Sequence, residues 1–144
     1  QKRGERGLYK RIMVPVDLVH VDQLDKALKT AANLAKHFDV PVVYVAVAPA
    51  TPNPVAHNPA EFQQKLEAFA KAQGDEHGIA AEAKPMISHD PAIDLDDTLM
   101  KAQHETGADL VVMQSHVPNI TDYVWPSNGG TMATHSDASV FVVR

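Results

Sequence analysis

Arg11 to Ala48 (RIMVPVDLVHVDQLDKALKTAANLAKHFDVPVVYVAVA) decides the fold class. Its first six residues, Arg11 to Val16, are a short apolar run rich in branched side chains, and Pro41 to Ala48 (PVVYVAVA) is a second. Both read as buried strands. Between them Leu24, Ala27, Leu28, Ala31, Leu34 and Ala35 recur at three- and four-residue spacing, which predicts an amphipathic helix over Asp22 to His37. Two strands separated by a helix cannot pair as a hairpin, so they lie parallel, joined by a crossover. Continuous apolar strands fit a sheet covered on both faces.

The same alternation continues to the end of the chain. Ala80 to Ile87 (AAEAKPMI) is a weaker third strand, Asp109 to Ser115 (DLVVMQS) a fourth and Ser139 to Val143 (SVFVV) a fifth. Phe62, Leu66, Phe69 and Ala70 mark a second helix that begins near Pro59 or Ala60 and stops before Gly78. Ile93, Leu95, Leu99, Met100 and Ala102 mark a third, with Pro91 in its first turn and Gly107 at its C-terminal cap. A fourth, short helix is expected from Ser127 to about His135. The whole reads as a single α/β domain: a doubly wound, five-stranded parallel sheet of flavodoxin or Rossmann-like type. Such sheets bind ligands beyond the carboxyl ends of their strands, where the strand order reverses.

Composition narrows the function classes. The 144 residues suffice for one compact domain, and the absence of cysteine excludes disulfides, thiolate metal sites and cysteine nucleophiles. A net charge of −5 argues against a nucleic-acid surface. The charge is uneven: Lys2, Arg3, Arg6, Lys10 and Arg11 crowd the beginning, opposed only by Glu5. Residues 1–8 are therefore expected to form a flexible, solvated basic leader ahead of a domain over 9–144. With no apolar run of membrane-spanning length and no secretory-type apolar stretch in the leader, a cytoplasmic protein that does not engage membranes is expected.

Two connections are unusually long. Pro49 to Pro59 (PATPNPVAHNP) carries four prolines, which predicts an ordered or semi-rigid excursion. His116 to Pro126 (HVPNITDYVWP) holds the one tryptophan. Connections of this length bind something, pack on something or lack order.

These residues resemble the universal stress protein family. The resemblance runs from Tyr9 onward and rests on Ile12-Met13-Val14-Pro15-Val16-Asp17, on Gly107-Ala108-Asp109-Leu110-Val111-Val112-Met113 leading into Ser115-His116, and on the ending Val140-Phe141-Val142-Val143-Arg144. The stretch Ser115 to Tyr123 followed by Ser127-Asn128 looks most like one bacterial branch of that family. Together with the alternation, the resemblance implies a sheet order of 3-2-1-4-5; it also implies an adenine nucleotide alpha hydrolase-like fold, a regulatory or sensing role without enzymatic activity, and dimers made through the last strand. For nucleotide-binding members it implies an aspartate after the first strand and a valine in the second that meet the adenosine, here Asp17 and Val47. It further implies a glycine-rich signature after the fourth strand that holds the phosphates of ATP or AMP. The corresponding positions here are Gln114, His116, Val117, Pro126, Ser127 and Asn128, and the signature's glycines do not carry over.

That departure has a physical cost. Glycine serves such a loop by adopting positive φ and by letting backbone amides approach phosphate, whereas valine resists positive φ and proline has no N–H to donate. Leu18-Val19 also stands where many members have Gly-Ser, and His89 where glycine is usual after the third strand. Gly129 and Gly130 act the other way: two glycines at a helix start read either as a displaced anion nest or as a late-starting helix. The expectation is a degenerate adenine-nucleotide site comprising Asp17, Val47, Gln114, His116, Val117, Ser127, Asn128, Gly129 and Gly130, for which ATP or AMP is a doubtful ligand.

A competing reading is a metal- or nucleotide-dependent hydrolase built on Asp17 and the strand-end histidines His20, His89 and His116. No close His-x-x-x-His pair supports a metal, and Ser115-His116 lack the strained glycine elbow of a hydrolase nucleophile. No catalytic residue and no metal ligand is therefore expected. His37, His77 and His104 fall in the last turns of helices, where they complement the dipole, and Asp94, Asp96 and Asp97 are read as first-turn acids of the third helix. The last strand, SVFVV, exposes an apolar edge that invites pairing with a second copy, and an unidentified protein partner remains open.

Overall fold

A computed structural model describes residues 8–114 and 136–144. Its five strands are β1 (Ile12–Pro15), β2 (Val42–Ala48), β3 (Ala81–Ile87), β4 (Leu110–Gln114) and β5 (Ser139–Val143), and its α-helices are α1 (Asp25–Phe38), α2 (Pro59–His77) and α3 (Pro91–Thr106). The strands form one sheet of order β3-β2-β1-β4-β5, and all four pairings are parallel. This is the expected order. The expected fourth helix, from Ser127 to about His135, lies outside the described residues.

Alternation along the central strands splits the core in two. Ile12, Val14, Tyr44 and Ala46 pack against α1 and α2 through Leu28, Ala31, Phe62 and Leu66. Met13, Val43 and Val45 point the other way and meet Leu95, Leu99 and Ala102 of α3. Helices thus cover both faces, which is why β1, β2 and β4 are buried along their whole length.

Local chemistry sets most element ends. Asn58 Oδ1 accepts from Glu61 N at 2.8 Å, and Pro59 follows as the first helical residue of α2. Gly78 and Gly107 close α2 and α3 with φ of 67° and 69°. Gly74 matters for its size instead. A Cβ there would stand 3.1 Å from Ile79 O and 3.2 Å from Ala81 Cβ, so its bare Cα lets α2 close on β3.

Two expectations need correction. The first helix starts at Asp25, not Asp22, because residues 17–24 are wound into successive tight turns and Val21–Gln23 form a short 3-10 segment. Only Asp94 lies in the first turn of α3; Asp96 and Asp97 follow in the next, since the helix starts back at Pro91. The third strand, expected as a weaker one, is present at Ala81–Ile87 despite its Lys84 and Pro85 and pairs throughout with β2. Val42 N donates to Ala80 O and Ser88 N to Ala48 O, so the even-numbered residues of β3 face β2 and Pro85 faces outward. Its missing N–H is lost only at the free edge, where proline is tolerated.

Candidate functional site

The carboxyl end of β1 leads directly into Asp17. Val16 N donates to Val45 O at 2.8 Å, which holds the end of β1 against β2 and fixes where Asp17 emerges. The Asp17 carboxylate then organises its own loop: Oδ1 accepts from Val19 N at 3.0 Å, and Oδ2 lies 2.8 Å from His20 Nδ1. Both side chains are largely covered, 12% exposed for Asp17 and 17% for His20. An acceptor that receives a backbone N–H and an imidazole N–H is held in one orientation, and this pair is what winds the connection before α1.

Beside Asp17 lies a cavity of about 60 Å³, lined by Val16, Leu18, Ala46, Val47, Asn53 and Phe62 among others. Asp17 supplies its one ionisable side chain among the described residues. The cavity is covered by the proline-rich connection after β2, which is ordered. Asn53 Oδ1 accepts from Val55 N at 3.0 Å and Ala56 N at 3.1 Å, Asn53 N donates to Ala56 O, and Ala56 is buried. Lys65 Nζ donates to Val55 O, and His57 Nδ1 stands 3.2 Å from Glu61 Oε2. That contact with His57 is the main reason the Glu61 carboxyl is held below its ordinary range. The strap is therefore tied to α2 at two points.

The expected site residues fall into three groups. Asp17 and Val47 line the same cavity. Gln114 ends β4 as a buried side chain whose Nε2 donates to Val143 O at 3.3 Å; it is not among the residues lining the cavity, and its Oε1 has no hydrogen-bond partner among the described residues. His116, Val117, Ser127, Asn128, Gly129 and Gly130, together with Pro126, lie outside the described residues. Of the strand-end histidines, His20 meets Asp17, while His89 is exposed after β3 and His116 is not described. No group of three metal-ligating side chains occurs among the described residues. The strap residues Asn53, Pro54 and Val55 and the α2 residue Phe62 were not anticipated as site residues. The first of the two Asn-Pro pairs within Pro49 to Pro59, Asn53-Pro54, was the available signal.

A model of the universal stress protein family matches residues 8–144, the whole described domain. The chain belongs to the universal stress protein family. Universal stress protein G from Shigella flexneri is 28% identical over 148 residues, spanning 95% of this chain and 100% of the relative. The solved universal stress protein from Archaeoglobus fulgidus superposes with a TM-score of 0.69 at 17% identity, over 95% of this chain and all of that one. The same organism's protein in complex with dAMP gives a TM-score of 0.68 at 19% identity, covering 95% and 99% of the two chains. No helix among the described residues is long and apolar enough to cross a membrane.

Proposed function

We propose that this universal stress protein is a non-enzymatic regulatory or sensing protein of the cytoplasm whose strand-end cavity takes the nucleoside half of an adenine nucleotide. The observation that carries the reading is the meeting of Asp17, from the turn after β1, and Val47, from β2, on one cavity bordered by a tethered strap. A carboxylate offers acceptors to sugar hydroxyls, and the flanking Val16, Ala46 and Val47 offer an apolar wall to a base. The dAMP complex of a universal stress protein with this fold supports the same reading.

The phosphate half is a different matter. Gln114, Val117 and Pro126 stand at signature glycine positions, and Gln114 directs its amide to Val143 O. Two or three lost charge-assisted hydrogen bonds, each worth about 1.5 to 3 kcal/mol, weaken a phosphate contact by roughly a hundredfold or more. ATP is therefore expected to bind little better than adenosine. Calorimetric titration of ATP, AMP and adenosine, with and without Mg²⁺, tests this. A micromolar ATP affinity, on the order of −8 kcal/mol, with a marked loss on removing the phosphates, would instead show that Ser127, Gly129 and Gly130 rebuild the cradle.

The protein is also proposed to act as a homodimer through β5. The two edges of the sheet differ: β3 carries Glu82, Lys84 and the outward Pro85, while β5 exposes Phe141 at 45% and Val142 at 39%. The first edge is blunted and the second is open to a symmetry mate. Phe141→Asp is expected to convert the dimer to monomer in sedimentation velocity at tens of micromolar, as an order of magnitude. Monomeric behaviour of the unmodified protein at that concentration refutes the assignment.

A further inference from the structure

The cavity at Asp17 is smaller than the ligand proposed for it. About 60 Å³ is room for a few water molecules, each needing roughly 10 to 15 Å³, whereas small-molecule sites run to roughly 300 to 1,000 Å³. Its walls also differ in how firmly they are held. Val16, Ala46 and Val47 are fixed by the hydrogen bonds of the sheet, and Phe62 is buried in α2. Asn53, Pro54 and Val55 belong to the strap, which closes one side.

Little holds the strap in place. Ala56 is the one buried residue between Pro49 and His57. Among the described residues, every hydrogen bond of residues 51–56 closes within that stretch except the one that Val55 O accepts from Lys65 Nζ. The internal bonds converge on Asn53 and make residues 53–56 a self-contained turn. A second tie follows at once, His57 Nδ1 at 3.2 Å from Glu61 Oε2, and Glu61 Oε1 lies 3.5 Å from Lys65 Nζ, so both ties meet at one carboxylate. The His57 and Lys65 side chains are mostly exposed. Exposed contacts of this kind are weak, and a segment with one buried residue and few bonds to the body opens at low free-energy cost.

We infer that the strap is a latch. Closed, it keeps the Asp17 cavity below the size of a nucleoside; the ligand enters when the turn of residues 53–56 swings off, parting Val55 from Lys65 and His57 from Glu61 and lifting Ala56 from the core. The inference rests on the reading of the Asp17 cavity as a nucleoside site and adds that this site is autoinhibited. Two consequences separate a latch from a supporting contact. The strap opens while the sheet stays folded, and the apparent affinity is lowered by the fraction of molecules that are open, so weakening a tie tightens binding. A contact that supported the bound ligand would act with the opposite sign.

The chain contains no cysteine, so a single introduced thiol reports its own exposure. Iodoacetamide labelling of Ala56→Cys is compared with that of Ala31→Cys, a fully buried position in α1 that is uncovered only by global opening. The thiol at position 56 should react at least about tenfold faster. Adding Lys65→Met should raise its rate by about two- to fivefold, the range for one exposed pair, and leave labelling at position 31 within about twofold. In the cysteine-free chain, Lys65→Met should tighten adenosine binding by the same factor in calorimetric titration, His57→Ala should act in the same direction, and thermal melts report that both are folded. Equal labelling at positions 56 and 31 overturns the inference, since the strap then opens only with the whole domain. If adenosine binds the wild type and the two variants bind it equally or more weakly, the latch is overturned and the nucleoside reading stands. If adenosine binds none of the three, the nucleoside reading fails and the inference with it.

Discussion

Alanine at position 17 is expected to weaken adenosine binding by about 10- to 150-fold, the effect of losing one charge-assisted hydrogen bond of roughly 1.5 to 3 kcal/mol. Asp17 is the one ionisable side chain on the described wall of the cavity, and its oxygens are already placed by Val19 N and His20 Nδ1. The same change leaves the Val19 loop without its acceptor, so a stability loss of about 1 to 3 kcal/mol accompanies it. Asp17→Asn separates the two roles. An amide oxygen still accepts from Val19 N, so the loop and the melting temperature are largely kept, while the ionic part of the ligand contact is gone. Calorimetry and thermal melts on both variants make the comparison. Wild-type affinity in Asp17→Ala would mean that the nucleoside binds elsewhere.

Phenylalanine at position 44 is expected to make the protein more stable by about 1 to 3 kcal/mol, the cost of a buried polar group left without a partner. Tyr44 sits mid-strand in β2, fully buried, and its hydroxyl has no hydrogen-bond partner among the described residues. The ring itself is well used: it meets Phe69 edge-on at 5.4 Å between centroids, a contact the substitution keeps. Removing the oxygen therefore deletes a penalty and little else. Burial also pushes the Tyr44 phenol up to about 12 from 10.0.

That shift gives the prediction a pH signature. The neutral phenol is the form the fold accepts, so its contribution is complete below pH 10, the unfolded value, and is lost as pH rises towards 12. Two units correspond to about 3 kcal/mol. The wild type should weaken steeply between pH 10 and 12, while Tyr44→Phe lacks that component, so the stability gap between them widens with pH. Denaturant melts at pH 7, 10 and 11.5 measure it. A destabilised Tyr44→Phe would show that the hydroxyl has a stabilising partner, and parallel alkaline weakening of both proteins would show that its ionisation does not weaken the wild type.

The elements that were legible in the sequence are those whose ends are written in neighbouring residues. Pro59, Gly78, Pro91 and Gly107 bound α2 and α3 where the local chemistry of caps puts them. The start of α1 was not legible, because Asp22 and Gln23 are acceptable helix residues and what excludes them is the set of tight turns that runs from Asp17 to Leu24. β3 looked weak because charge and proline count against a strand in general. On an edge, with Pro85 facing outward, they do not.

For the site, Asp17 and Val47 could be named from the family resemblance alone, and the parallel order β3-β2-β1-β4-β5 followed from the alternation of apolar runs and amphipathic stretches together with that resemblance. The sequence by itself therefore determined the fold and the family and named two residues that line one cavity, because periodicity, caps and motif residues are properties of adjacent positions. Only the tertiary structure decided that Asn53, Pro54 and Val55 lie beside Asp17, that His20 holds its carboxylate, and that a groove lined by Leu18, Val21 and Phe69 adjoins them. The cavity and the groove join segments tens of residues apart in the chain. Their distances are set by how β1, β2 and α2 pack, and no spacing along the chain encodes them.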